Sequence, residues 1–190
     1  MPRPAARPHT RRTASSSGRF RDPRSTRYGF LDLVLVRCPG CAGAAPVVRA
    51  PGDPGPGGRS LFSARRLVCG RCGVSRVCAG TPLTSPNGAA GPATDPYFGR
   101  RPLWLRSETR HGQVWTYNLA HLDLIHRCAR ATLRERAPWY DTGQGVTLVA
   151  CPPAWVKRAG NREEVLRAVG RMRAGAPSHP GARRNAPGAA

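Results

Sequence analysis

Hydrophobic positions along this chain fall into short runs separated by stretches of Pro, Gly, Arg and Ala. The first run, "YGFLDLVLVR" at residues 28–37, is leucine-rich and β-branched and reads as a strand entering Cys38. "APVVRA" predicts a second short strand, and "LFSARRLV" a third that leads into Cys69. Between them "PGDPGPGGRS" suits neither helix nor sheet interior, because proline lacks the ladder N–H and glycine adds backbone freedom. Residues 79–94, "AGTPLTSPNGAAGPAT", form a further loop of low complexity.

Downstream the pattern is denser. "PLWLRSE" and "QVWTYN" are aromatic and β-branched runs joined by "TRHG", which predicts a hairpin in which Gly112 takes a positive φ. Trp104, Trp115 and Tyr117 are its bulky residues. Asn118 is placed to cap a helix over "LAHLDLIHRCARATLRERA", ending before Pro138. There Leu119, Leu122, Ile125, Ala129 and Leu133 form an apolar stripe, and Arg127, Arg130 and Arg134 a basic one. In "NREEVLRAVGRMR" Asn161 stands three residues before Glu164, the spacing of a capping box, and Val165, Leu166, Val169 and Met172 form a buried stripe. "PPAWVKRAG" before it adds a helical turn anchored by Trp155.

Composition limits the size of the core. Of 190 residues, 22 are Gly and 20 are Pro, so a small folded centre with disordered flanks is expected. Lys+Arg number 31 and Asp+Glu 10, a net charge of +21 that points to a polyanionic partner. A competing origin for that charge is coding bias, since Lys157 is the one lysine and Ala, Gly, Pro and Arg dominate. No apolar run is long enough for a membrane span. The first residues carry Arg, Ser and Pro with no acid before Asp22, which reads as a disordered basic arm or as sequence ahead of the true start. A cytoplasmic location is expected, where thiols stay reduced and seven cysteines favour metal over disulfide.

The four cysteines of "CPGC" and "CGRC" carry the chemistry. Two CxxC turns aim four soft thiolates at one point, which suits a tetrahedral zinc. Pro39 stiffens the first turn, and Gly70 and Gly73 let the backbone turn under the second. The long interval from Cys41 to Cys69 is loop, whose closure entropy grows slowly with length. The alternative of a redox pair lacks the surrounding βαβ pattern. One structural zinc on Cys38, Cys41, Cys69 and Cys72 is therefore expected. Cys78 reads as a strand or loop cysteine, Cys128 as a small half-buried hydrophobe, and Cys151 carries no signal. His121 and His126 do not share a helical face, so no second metal site is expected. No Gly-rich phosphate loop, nucleophile elbow or HExxH is present; an HNH-type nuclease is the residual enzymatic reading, and its second histidine is not recognisable. A closed four-thiolate site leaves no position for substrate, so the protein is expected not to be an enzyme.

The pattern thus predicts a small α+β chain, a β-rich zinc ribbon followed by a β-hairpin and two amphipathic helices with disordered termini. Its parts are a disordered basic arm at 1–27, the ribbon at 28–80 with a Pro/Gly loop at 51–60, and a linker at 81–94. Then follow the hairpin plus helix at 95–137, a linker at 138–152, a helical segment at 153–174 and a disordered tail at 175–190.

On "VRCPGC", "RLVCGRCG", "DPYFG", "PLWLR", "VWTYNLAHLDLI" and "PAWVKRAGNREEVLRAVGRM", the chain resembles a family of small uncharacterised bacterial proteins that carry a zinc ribbon of transcription factor IIB type. The resemblance implies a ribbon with a C-terminal extension and brings no established activity. The extra Arg in "GRRPLWL" and the long loops depart from its pattern.

The leading functional expectation is a non-catalytic zinc ribbon that binds nucleic acid or a transcription- or replication-associated protein, with Arg127, Arg130 and Arg134 on phosphates. The alternative is a protein-interaction adaptor that uses the hairpin and the apolar helix face. No small-molecule substrate is evident.

Overall fold

The structure is a computed structural model that describes residues 18–23, 25–52, 63–78, 93–98, 101–134 and 153–177. It begins with a two-residue strand, β1 (Arg19–Phe20), inside the segment expected to be a disordered arm. Phe20 and Asp22 are both buried. This part of the arm therefore packs at Phe20, which fills an apolar patch made by Leu124, Cys128 and Ala131 with Phe30 beside it.

Arg27–Phe30 turn as a 3-10 helix, which delays the strand that the apolar run predicts. That strand, β2 (Leu33–Arg37), opens an antiparallel meander continued by β3 (Ala44–Arg49), β4 (Arg65–Val68) and β5 (Ser75–Cys78). The alternation of side chains divides the sheet between two cores. Val34, Val36, Ala45, Val47 and Leu67 face one way, onto Leu31, Tyr97, Leu103 and Tyr117. Leu35 faces the other way, onto Leu105, Val114, Leu122, Ile125, Val165 and Val169. Burial on both faces is why β2 reads as an unbroken apolar run.

β2 also joins what the sequence divides into two parts. On the edge away from β3 the Leu35 amide donates to Tyr117 O (2.8 Å), Trp104 N donates to Leu35 O (2.9 Å) and Arg37 N to Pro102 O (2.9 Å). The loop preceding this contact is organised by Asp95, whose buried carboxylate accepts from the amides of Tyr97, Phe98 and Arg101 at 2.8, 2.5 and 2.5 Å.

The expected hairpin forms as β6 (Arg106–Thr109) and β7 (Gly112–Trp115), with Gly112 at φ +125°. α1 (Leu119–Arg130) follows, capped as expected by Asn118, whose Oδ1 accepts from His121 N at 2.9 Å. The helix is shorter than its apolar periodicity suggests. After Arg130 the backbone becomes extended at Ala131 and runs into β8 (Leu133–Arg134), which pairs in parallel with β1. Leu133, expected on the buried stripe, is 52% exposed. The helix is ended by tertiary contacts, since the Arg134 guanidinium donates through Nε to the free carbonyl of Cys128 at 2.9 Å.

α2 (Ala154–Lys157) is the short turn expected around Trp155, and α3 (Arg162–Ala174) lays Val165, Ala168, Val169 and Met172 on the second core. The capping box does not form. Asn161 makes no side-chain cap; its Nδ2 donates to Trp155 O at 2.9 Å. Glu164 reaches instead to the hairpin turn, accepting from Arg110 N at 2.9 Å and pairing with its guanidinium at 2.9 Å. The Arg110 amide, with the Arg110 charge, holds the Glu164 carboxyl below its ordinary range.

His121 lies beneath Phe30, Trp115 and Tyr117, with ring centroids 5.2–6.2 Å away. Its Nδ1 accepts from the Tyr117 amide at 3.3 Å. Burial pushes its pKa down to about 3, so the ring is neutral at physiological pH. The unfolded chain takes up a proton near pH 6.5 that the folded chain refuses, so stability is full above that pH and falls by about 1.4 kcal/mol per pH unit below it. His121→Asn keeps an acceptor for Tyr117 N and is expected to flatten the slope between pH 6.5 and about 3. Urea titrations of parent and variant across that range check this.

The linker at 138–152 with Cys151, most of the Pro/Gly loop and most of the 81–94 linker lie outside the described residues, as do residues 1–17 and 178–190. Among the described residues no helix is long and apolar enough to cross a membrane.

Candidate metal centre

Both CxxC motifs occupy hairpin tips at the same end of the sheet, between β2 and β3 and between β4 and β5. The two tips share one backbone design. Cys38 N donates to Gly43 O (2.8 Å) and Ala42 N to Cys38 O (3.0 Å); Cys69 N donates to Val74 O (2.8 Å) and Gly73 N to Cys69 O (2.9 Å). In each, the residue after the second cysteine is left-handed, Ala42 at φ 55° and Gly73 at φ 73°. The first cysteine of each pair ends a strand and is buried, whereas Cys41 is half-buried and Cys72 exposed.

The ladder between β3 and β4 stops at Val47 and Leu67. The next position is Pro46, which has no N–H to give, and beyond it the tips are held by side chains. They approach closely enough that a Cβ on Gly40 would stand 2.8 Å from Val74 Cγ2 and 3.4 Å from Cys72 Sγ. Gly40 is thus needed for contact between the tips, a role its place inside CxxC does not advertise. Gly70 has open space around it and no positive φ, so of the two glycines expected to shape the second turn only Gly73 does so.

This arrangement gathers the sulfurs of Cys38, Cys41, Cys69 and Cys72 within 4.8 Å of one another. Cys38 and Cys72 are 3.5 Å apart, and Cys41 and Cys69 3.6 Å. Tetrahedral metal–sulfur bonds of about 2.3 Å place sulfurs about 3.8 Å apart, so the four residues are positioned to hold a metal ion. The other described cysteines stand elsewhere. Cys78 donates to Tyr97 O at 3.3 Å, and Cys128 is buried against Phe20, which raises its pKa.

The thiols do not behave alike. Amides of Cys72 and Arg71 draw Cys69 down to about 6 against the effect of burial. At Cys72 the Val74 amide also lowers the pKa, but desolvation and the neighbouring sulfurs of Cys38, Cys69 and Cys41 outweigh it and push the value to about 12. Four thiolates this close repel one another unless a cation stands among them. The cluster is therefore built for a positive ion that replaces protons.

The arginines of the expected basic stripe separate. Arg127 and Arg130 are exposed on the last turn of α1. Arg134 lies off the helix in β8 and is committed to backbone carbonyls, those of Cys128 and Lys157. Asp123, placed by helical spacing to neutralise Arg127, pairs with Arg173 of α3. Arg127 and Arg130 are left without a carboxylate partner among the described residues.

Comparison of the chain with family models, curated proteins and solved structures finds no match. The reading of this centre therefore rests on its geometry and donor chemistry.

Proposed function

We propose that the chain is a non-catalytic zinc ribbon that binds nucleic acid through phosphate contacts. Zinc suits four thiolates at tetrahedral spacing, and with four protein ligands the ion is closed to substrate, so its role is to join the two hairpin tips. The observation that carries the nucleic-acid reading is the pair of exposed guanidinium groups on α1, Arg127 and Arg130, in a chain of net charge +21. The apolar stripe that an adaptor would use is covered by α3: Leu122, Ile125 and Ala129 pack against Val165, Ala168 and Val169.

The test is a salt titration of binding to duplex and single-stranded DNA. Changing Arg127 and Arg130 together to Ala is expected to weaken binding alike at all sequences and to lower the salt slope by about two. Thermal stability should move by no more than about 0.5 kcal/mol, because both side chains are solvated. Arg134→Ala is the contrasting variant: it frees the Cys128 carbonyl and is expected to destabilise the fold. A double variant that binds with the parent's affinity and slope contradicts the proposal.

A further inference from the structure

The four-stranded sheet has one edge that no described strand covers. β5 pairs only with β4. Because Cys69 N donates to Val74 O, the paired residues that exchange ladder bonds are Cys69 with Val74, Leu67 with Arg76 and Arg65 with Cys78. The intervening residues Ser75 and Val77 therefore turn their backbone N–H and C=O groups outward, to the open edge. The bond from Ala50 N to Ala64 O fixes the same phase from the other side of β4. Ser75, Arg76 and Val77 are all exposed, Val77 to 64%.

The chemistry around this edge selects what can add to it. The described sheet segments, residues 33–52 and 63–78, contain six arginines and no acid. Arg65 is buried, Arg49 pairs with Asp32 and Arg66 donates to Ser75 Oγ at 3.1 Å; Arg37 and Arg71 lie off β5, so Arg76, next to Val77 in the chain, is the arginine on the edge strand itself. A second copy of the chain would bring Arg against Arg. These segments also contain no Phe, Tyr or Trp, so bases of a single strand would find nothing to stack on.

We propose that the β5 edge docks an extended acidic peptide, which adds as a fifth strand. Its backbone pairs with Ser75 and Val77, its apolar side chains cover Val77 on one face of the sheet, and its carboxylates meet Arg76 on the other. This site is separate from Arg127 and Arg130.

Fluorescence anisotropy with the full-length protein as purified decides the matter. The probes are a labelled short peptide alternating Glu with Val, the same composition interrupted by Pro, and a single-stranded oligodeoxynucleotide. The alternating peptide is expected to bind, and the Pro-interrupted one at least tenfold more weakly. Val77→Pro removes an outward N–H and no ladder bond, and is expected to weaken binding tenfold or more. Val77→Asp, which leaves the backbone intact, should do the same and decides the case if the proline variant loses its fold by circular dichroism. Equal binding of both peptides, parental affinity in Val77→Asp, or no binding at millimolar peptide overturns the proposal. So does oligonucleotide binding, or dimerisation of the parent, that Val77→Asp abolishes.

Discussion

Cys69→Ser is expected to lose the metal and unfold the four-stranded sheet. Cys69 is 1% exposed and stands at the end of β4, where its sulfur lies 3.6 Å from that of Cys41. A hydroxyl is a poor replacement for a soft thiolate, and it leaves a polar group buried without the ion. Structural zinc sites of this kind contribute about 10–16 kcal/mol of apparent binding free energy. A domain's whole stability is about 5–15 kcal/mol, so losing the ion removes enough to unfold the segment it joins. Cys38→Ser and Cys72→Ser should behave alike, whereas Cys78→Ser should keep its metal, because Cys78 is bonded to Tyr97 O and stands outside the cluster. Metal analysis together with circular dichroism reads both effects. Full metal content in Cys69→Ser contradicts the assignment.

Asn118→Ala is expected to be the most damaging change outside the cysteines. Its Oδ1 caps α1, while Nδ2 donates to Phe30 O at 2.8 Å and Leu33 O at 2.9 Å, tying the start of the helix to the entry of β2. Truncation removes a cap worth about 1 kcal/mol and strands two carbonyls at about 1–3 kcal/mol each where water does not replace the donor. The expected loss is about 3 kcal/mol. Asn118→Asp separates the two roles: it preserves the acceptor for His121 N but sets a carboxylate against two carbonyl oxygens. Denaturant titrations should therefore find the aspartate variant as unstable as the alanine one. A nearly neutral Asn118→Asp would mean that the cap alone matters.

Local signals made much of this fold legible. The two CxxC motifs, the strands entering them, the Gly112 turn and the Asn118 cap are each written within a few adjacent residues, and each forms, the first strand starting later than its apolar run because residues 27–30 turn as a 3-10 helix. What was not legible depends on residues far apart in sequence. The helical period alone continues past Arg130 through Leu133, and only the fold of Arg134 onto Cys128 O and of Phe20 onto Leu124 stops it. The same contacts bury Phe20, in a segment whose composition reads as disordered. Glu164 has the spacing of a capping box, yet a hairpin turn 54 residues away offers a better donor. Helical spacing assigns Asp123 to Arg127, but α3 brings Arg173 to it first. At the metal centre, likeness of the two tips held a signal that single motifs did not. "CPGCAG" and "CGRCGV" both place a small residue after the second cysteine, and both adopt a left-handed backbone there.

Four thiolates closing around one structural zinc is the feature on which the proposed ribbon stands. Native mass spectrometry of the full-length protein tests it directly. The account predicts a chain carrying the mass of one zinc ion and lacking the protons of its ligating thiols, which loses the ion and its β-sheet circular dichroism together when chelated. A folded chain that carries no metal, with Cys38, Cys41, Cys69 and Cys72 as free thiols or disulfides, would contradict it.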